Sequence, residues 1–168
     1  LNLNKEDYFK IIKLKTGSLF ECAFELGGVA AEGTEAQIEQ LKCLGLAIGI
    51  IFQIKDDILD YSISSYTGKK SGNDIKEGKI NLPLLYAFEK MNFMEKRRVF
   101  SILRMKDNST KDIEFVFSMV KKYHGIDSAE SKINNYYNDA KLIISNFQDG
   151  RYKKSIYSLL NFLIDRKK

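Results

Sequence analysis

Five polar side chains crowd the run Phe52-Gln53-Ile54-Lys55-Asp56-Asp57-Ile58-Leu59-Asp60. On a helix, offsets of three, four and seven share a face, so Gln53, Asp56, Asp57 and Asp60 are expected to project together. Three carboxylates on one face repel each other at neutral pH. They also follow a twelve-residue uncharged run, Cys43 to Ile54, where burial makes charge costly. A hard cation resolves both problems. Mg²⁺ takes octahedral oxygen ligands and is commonly shared between one or two carboxylates and a substrate's phosphates. A solvated acidic helix end is the plain alternative for so short a pattern. The segment downstream, from Thr67 to Lys79, mixes Gly68, Gly72 and Gly78 with Lys69, Lys70, Lys76 and Lys79. Lysine is a flexible point charge suited to phosphate oxygens. Upstream, Lys15-Thr16-Gly17 offers a cation and a hydroxyl at the end of a predicted first helix. The acidic cluster and the lysines together predict a metal–diphosphate site.

The elements that must position these groups are all helical. The periodicity predicts a first helix from Asn4 to about Leu14, with Asp7 at capping-box spacing, and a second from Ser18 to Ala31. The second carries Leu19, Cys22, Ala23 and Leu26 on one face. A third, Glu35 to Tyr61, is apolar all round in its middle and belongs at the centre of a bundle. Ser62 to Asn81 is polar, a loop or short helix. Further helices are expected over Leu82–Met91, Phe93–Met105, Thr110–His124, Ser128–Phe147 and Ser155–Ile164. Gly125 is the expected stop of the third of these later helices, and Asp127 with Glu130 a second capping box before the fourth. The expected architecture is thus all-α with about seven or eight helices.

Composition narrows the classes. The chain has 168 residues, a formal net charge of +5, one Pro, no Trp and one His. Its basic residues are scattered among acidic ones, which argues against nucleic acid. Cys22 and Cys43 form no CxxC pair, and two free thiols point to a reducing, cytoplasmic setting. The Cys43–Ile54 run is too short to span a bilayer and is expected to be a buried helix. The chain opens on Leu1 rather than Met, and a fragment is the expected reading.

Three segments, in order, resemble the trans-prenyl diphosphate synthase family. FQIKDDILDY (52–61), followed by TGKKSGNDIKEGKINLPLLYA (67–87), resembles its second aspartate-rich region. KTGSLFECAFELGG (15–28) resembles its lysine–threonine segment. GIDSAESKINNYYNDAKLIISNF (125–147) and LLNFLIDRKK (159–168) resemble its last helices less diagnostically. The resemblance implies an isoprenoid-synthase-type helical bundle, with residues 1–168 as the C-terminal part of one domain. It implies a prenyltransferase in which an allylic diphosphate, ionised with the help of three Mg²⁺, alkylates isopentenyl diphosphate, in a homodimer. Asp56 would bind metal directly, with Asp57 and Asp60 holding its waters or neighbouring charge. Lys15 and Lys69 would contact the diphosphate, with Lys79 nearby. Thr16 and Gln53 would aim oxygen dipoles at the developing cation. The family's first aspartate-rich motif is not in this chain, so half a bundle is expected, with an exposed apolar surface. A non-catalytic helical subunit modulating a synthase partner is the alternative, and the intact Asp56, Asp57, Asp60 and Lys69 argue against it. For the remaining candidates, packing roles are expected: His124 at a helix end, Phe20, Phe24, Phe52 and Phe88 in the core, and Arg166 at a frayed terminus.

Overall fold

The computed structural model describes residues 4–61, 72–105 and 107–166. Among these there are nine α-helices and one π-helical turn, with no strand. They are α1 (Lys5–Ile12), the π turn (Lys13–Gly17), α2 (Ser18–Ala30), α3 (Glu35–Leu59), α4 (Asn73–Lys76), α5 (Leu82–Lys90), α6 (Phe93–Leu103), α7 (Thr110–Lys122), α8 (Gly125–Ser145) and α9 (Arg151–Asp165). The starts follow local chemistry. Asn4 Oδ1 accepts from the Asp7 N–H at 2.8 Å. Asn92 with Glu95, and Ser109 with Asp112, form reciprocal capping boxes for α6 and α7.

Two sequence expectations are corrected. The first helix does not end at Lys15-Thr16-Gly17; the backbone widens there into a π turn and runs straight on into α2. Helix α8 starts at Gly125, three residues before the expected Ser128. His124, not Gly125, takes the left-handed conformation (φ 55°) that separates α7 from α8. Gly125 is there for space, since a Cβ would lie 2.2 Å from the Pro83 carbonyl oxygen. Asp127, expected to cap, instead lies 2.7 Å from His124 Nδ1.

The chain divides into two compact units. Among the described residues, one comprises 4–8, 56–61, 72–105 and 107–131. Its core gathers Ile75 of α4, Leu84 and Ala87 of α5, Val99 and Ile102 of α6, and Val116 and Val120 of α7. The Glu95 carboxylate links α6 to α7 by accepting from Lys122 Nζ at 2.7 Å and Tyr123 Oη at 2.6 Å.

The other comprises residues 9–55 and 132–167. Its centre is α3, where Leu44, Ile48, Ile51 and Ile54 are fully buried. By length and composition α3 could cross a membrane, but those side chains make it a core helix. A glycine seam brings α2 against α3. A Cβ at Gly45 would sit 2.5 Å from the Phe20 carbonyl oxygen, and one at Gly49 2.8 Å from Gly17 Cα. The outer face of α2 is apolar and exposed, with Leu19 at 72%, Leu26 at 61% and Val29 at 55%. Arg166 is docked rather than frayed: its guanidinium stacks 4.3 Å from the Phe52 ring centroid and donates to the Phe52 carbonyl at 3.3 Å.

Two outcomes follow from this packing. Gly45→Ala drives a methyl into backbone, which cannot rotate away, and should destabilise by about 1–3 kcal/mol. Gly27→Ala, where a Cβ meets nothing within 4 Å, should stabilise by roughly 0.5–1 kcal/mol through helix propensity. Thermal unfolding of both variants checks the pair; equal effects would remove the seam from the account. The Lys122, Tyr123 and Asn92 donors hold Glu95 down at about 2, from an ordinary 4.5. A depressed carboxyl contributes stability that is present above the unfolded value and lost as pH falls toward the folded one. The Tm gap between the parent and Glu95→Gln should therefore be widest above pH 4.5 and close toward pH 2, as read by calorimetry across that range.

Candidate functional site

The acidic face splits. Asp57 is buried, with only 6% of its surface exposed. Its Oδ2 accepts from Tyr8 Oη at 2.7 Å and from the Leu82 N–H at 3.1 Å. One oxygen thus holds α1 and the first residue of α5 to the last turn of α3. The position also favours the charge, because a helix N-terminus attracts an anion. Burial, with the Asp57 charge next, pushes the Tyr8 hydroxyl far above its usual value, so it stays a donor. Asn81 does parallel work beside it. As N-cap of α5, its Oδ1 accepts from the Leu84 N–H at 3.4 Å and from Tyr61 Oη at 2.6 Å, while its Nδ2 donates to Asp74 Oδ2 at 2.9 Å. Burial raises Tyr61 too, so its proton is likewise fixed.

Asp60 lies just past α3 and is half-buried. Its two carboxylate oxygens accept from the Asn73 N–H at 3.0 Å and the Asp74 N–H at 3.2 Å, and its carbonyl accepts from the Gly72 N–H at 3.0 Å. It therefore caps α4. Burial first, then the Asp74 charge, raises its carboxyl above the ordinary value. Asp56 is exposed. The expectation that Gln53, Asp56, Asp57 and Asp60 project together is corrected: neighbours in sequence point about 100° apart on a helix, which sends Asp56 to solvent and Asp57 inward.

In the other unit, the π turn carries Lys15, which is exposed, and Thr16, which is half-buried. Thr16 Oγ1 donates to Gln53 Oε1 on α3 at 2.9 Å. A π turn inserts an extra residue into a helix and is frequent at functional positions. Thr16 and Gln53, to which the resemblance gives one role, are thus joined by a hydrogen bond across 37 positions. Lys79 is exposed and forms an ion pair with Glu77. Lys69 lies outside the described residues. Phe20 and Phe52 pair at 5.9 Å, whereas Phe88 of α5 pairs with Phe100 of α6 at 4.8 Å.

Among the described residues no three His, Cys, Asp or Glu side chains are grouped to cage a metal. An exposed Asp56 beside anchored carboxylates fits a hard cation of the magnesium kind, held by one or two carboxylates and completed by water and substrate oxygens. The residues missed from sequence are the anchors Tyr8, Asn81 and Asp74. Asn81 carried a local signal, since Asn followed by Pro within two positions marks a helix start. Tyr8 carried none, because its partner is 49 positions away.

A family model described as polyprenyl synthetase matches residues 1–120. The octaprenyl diphosphate synthase of Haemophilus influenzae is 30% identical over 97% of this chain and 50% of its own length. The geranylfarnesyl diphosphate synthase of Aeropyrum pernix is 34% identical over 96% of this chain and 51% of its own. Among solved structures, a decaprenyl diphosphate synthase from Rhodobacter capsulatus superposes with a TM-score of 0.90 at 26% identity, over 99% of this chain and 52% of that one. A polyprenyl synthase from Caulobacter crescentus, complexed with calcium and isoprenyl diphosphate, gives 0.90 at 30% identity, over 99% and 51%. The chain spans about half the length of the curated relatives it matches. The chain belongs to the polyprenyl synthetase family and has the all-α fold of the isoprenoid synthases.

Proposed function

We propose that residues 1–168 form the C-terminal part of a trans-prenyl diphosphate synthase, and that this part binds the diphosphate of an allylic substrate. The complete enzyme condenses that substrate with isopentenyl diphosphate to give a longer trans-prenyl diphosphate. The carrying observation is the division of the acidic run: Asp57 and Asp60 are committed to protein donors, and Asp56 is presented to solvent from the same helix turn. A solvated acidic helix end requires no such anchoring, and neither does a non-catalytic subunit.

In this reading Asp56 is the direct magnesium ligand, and Asp57 and Asp60 supply neighbouring charge while fixing its direction. Bound Mg²⁺ contributes positive charge that stabilises the departing diphosphate. Lys15 and Lys69 donate to the diphosphate oxygens, and Lys79 reaches them on exchanging its Glu77 partner. Thr16 gives its proton to Gln53, which keeps the hydroxyl lone pairs available toward a developing carbocation, a preorganised dipole of the kind that catalysis favours. The family's first aspartate-rich motif, in the other half of the enzyme, holds the remaining metals. The exposed apolar face of α2 supports assembly as a homodimer. The exposed, unbridged Cys22 and Cys43 support a cytoplasmic location.

The two adjacent aspartates should separate in experiment. In the complete enzyme, Asp56→Ala should lower isopentenyl incorporation by about 10²–10³-fold, the size of one preorganised electrostatic contact, and leave Tm nearly unchanged. Asp57→Ala orphans two buried donors and should lower stability by about 2–4 kcal/mol, at roughly 1–3 kcal/mol each. Full activity in Asp56→Ala, or equal destabilisation by both, would defeat the assignment. Calorimetry with geranyl diphosphate should show binding with Mg²⁺ and loss of it in chelator. The 168-residue chain by itself should turn over at background, since it lacks the opposing carboxylates.

A further inference from the structure

Helix α6 has two faces with different chemistry. Val99, Ile102 and Leu103 are buried in the core. The opposite stripe reads Phe93, Lys96, Arg97, Phe100 and Arg104, positions three, four and seven apart. With Phe88 of α5, these residues line an open cleft of about 630 Å³. That volume lies within the range of small-molecule sites. Rings and cations share one wall: Lys96 Nζ stands 5.4 Å from the Phe88 ring centroid, and Phe88 meets Phe100 edge-on at 4.8 Å. No carboxylate lines the cleft among the described residues. The nearest acid on α6, Glu95, is occupied by Lys122 and Tyr123 on the core side. Phe93, one of the lining residues, is 76% exposed.

Three cations without a counter-acid attract an anion, and guanidinium groups suit phosphate in particular. Three rings beside them offer no polar partner and suit a hydrocarbon chain. A free phosphate would leave the rings wet, and a neutral chain would leave the cations without a partner. We propose that the α5–α6 cleft binds an amphiphilic phosphate, its head on Lys96, Arg97 and Arg104 and its chain along Phe88, Phe93 and Phe100. The source is either a soluble long-chain phosphate or an anionic lipid in a bilayer; the chemistry is the same. None of these residues enters the catalytic reading, and the site stands or falls without it.

The test uses decyl phosphate below its micelle concentration, titrated calorimetrically into the full chain. Inorganic phosphate carries the head alone and decyl maltoside the chain alone. Decyl phosphate should bind at one per chain and at least about tenfold more tightly than either control. Arg97→Glu with Arg104→Glu should weaken it by about tenfold or more, the scale of one lost charge-assisted contact. Phe93→Ser alters a side chain in solvent, so the fold is retained, and it should weaken decyl phosphate several-fold while leaving inorganic phosphate unaffected. Sedimentation with phosphatidylglycerol-containing vesicles, but not with pure phosphatidylcholine, would assign the bilayer source; decyl phosphate binding without sedimentation would assign the soluble one. Inorganic phosphate binding as tightly as decyl phosphate would overturn the proposal. So would charge reversal that leaves decyl phosphate affinity unchanged in a protein shown by circular dichroism to be folded.

Discussion

One carboxylate oxygen, Oδ2 of Asp57, holds together the part of the fold that presents the chemistry. It receives a tyrosine hydroxyl from α1 and the first backbone N–H of α5, both in the interior. An ionised carboxylate out of water is costly unless its lone pairs are filled. Here Oδ2 meets two donors at the positive end of a helix. The same contacts fix the rotation of the last turn of α3. Asp57 faces inward, and Asp56, about 100° round the helix from it, lies on the exposed side. The exposed aspartate is aimed by the buried one.

The remaining acids are arranged to limit repulsion. Asp60 and Asp74 lie close enough for Asp74 to raise the Asp60 carboxyl, but both meet N–H donors, Asp60 from the start of α4 and Asp74 from the Asn81 amide. The polar chain Tyr61–Asn81–Asp74 runs beside Tyr8–Asp57 and returns the segment after α3 to its own base. Such networks specify a single geometry when every member is satisfied. That suits a position where one metal ligand must be held within a small tolerance.

How much of this was legible depended on distance along the chain. Periodicity located α3, α6 and α7 within a few residues, because one face of each is buried throughout. The capping pairs Asn92–Glu95 and Ser109–Asp112 act three residues apart, as does Asn4 on Asp7. The pattern Gln53, Asp56, Asp57 and Asp60 marked the C-terminal turns of α3 as the candidate, but it could not divide one stripe into an inward and an outward edge. That division depends on Tyr8 and Leu82, which are 49 and 25 positions from Asp57. The π turn escaped notice for a related reason. Lys15-Thr16-Gly17 looks like a helix end, and only the approach of Gly17 to Gly49 and the Thr16–Gln53 bond, both long-range, carry the helix through. Gly125 was misread as a stop because its need is for space beside Pro83, not for a left-handed turn.

The same division bears on how metal and substrate meet. A magnesium ion demands near-octahedral oxygen ligands and gives up its waters reluctantly. With Asp57 and Asp60 committed to protein donors and no three-acid group among the described residues, Asp56 offers too few oxygens to hold such an ion tightly. On the proposed function, diphosphate oxygens would supply what is lacking, so each partner would raise the affinity of the other by the same factor. In the proposed reading, substrate recognition and metal recognition are then a single event. The lysines share in it, since a point charge on a flexible stem can follow the diphosphate as the ion draws it in. A deeper acidic cage would bind metal without substrate, and it would leave the interior turn of α3 carrying unpaired charge in the apo protein. Committing Asp57 and Asp60 to protein donors avoids that cost.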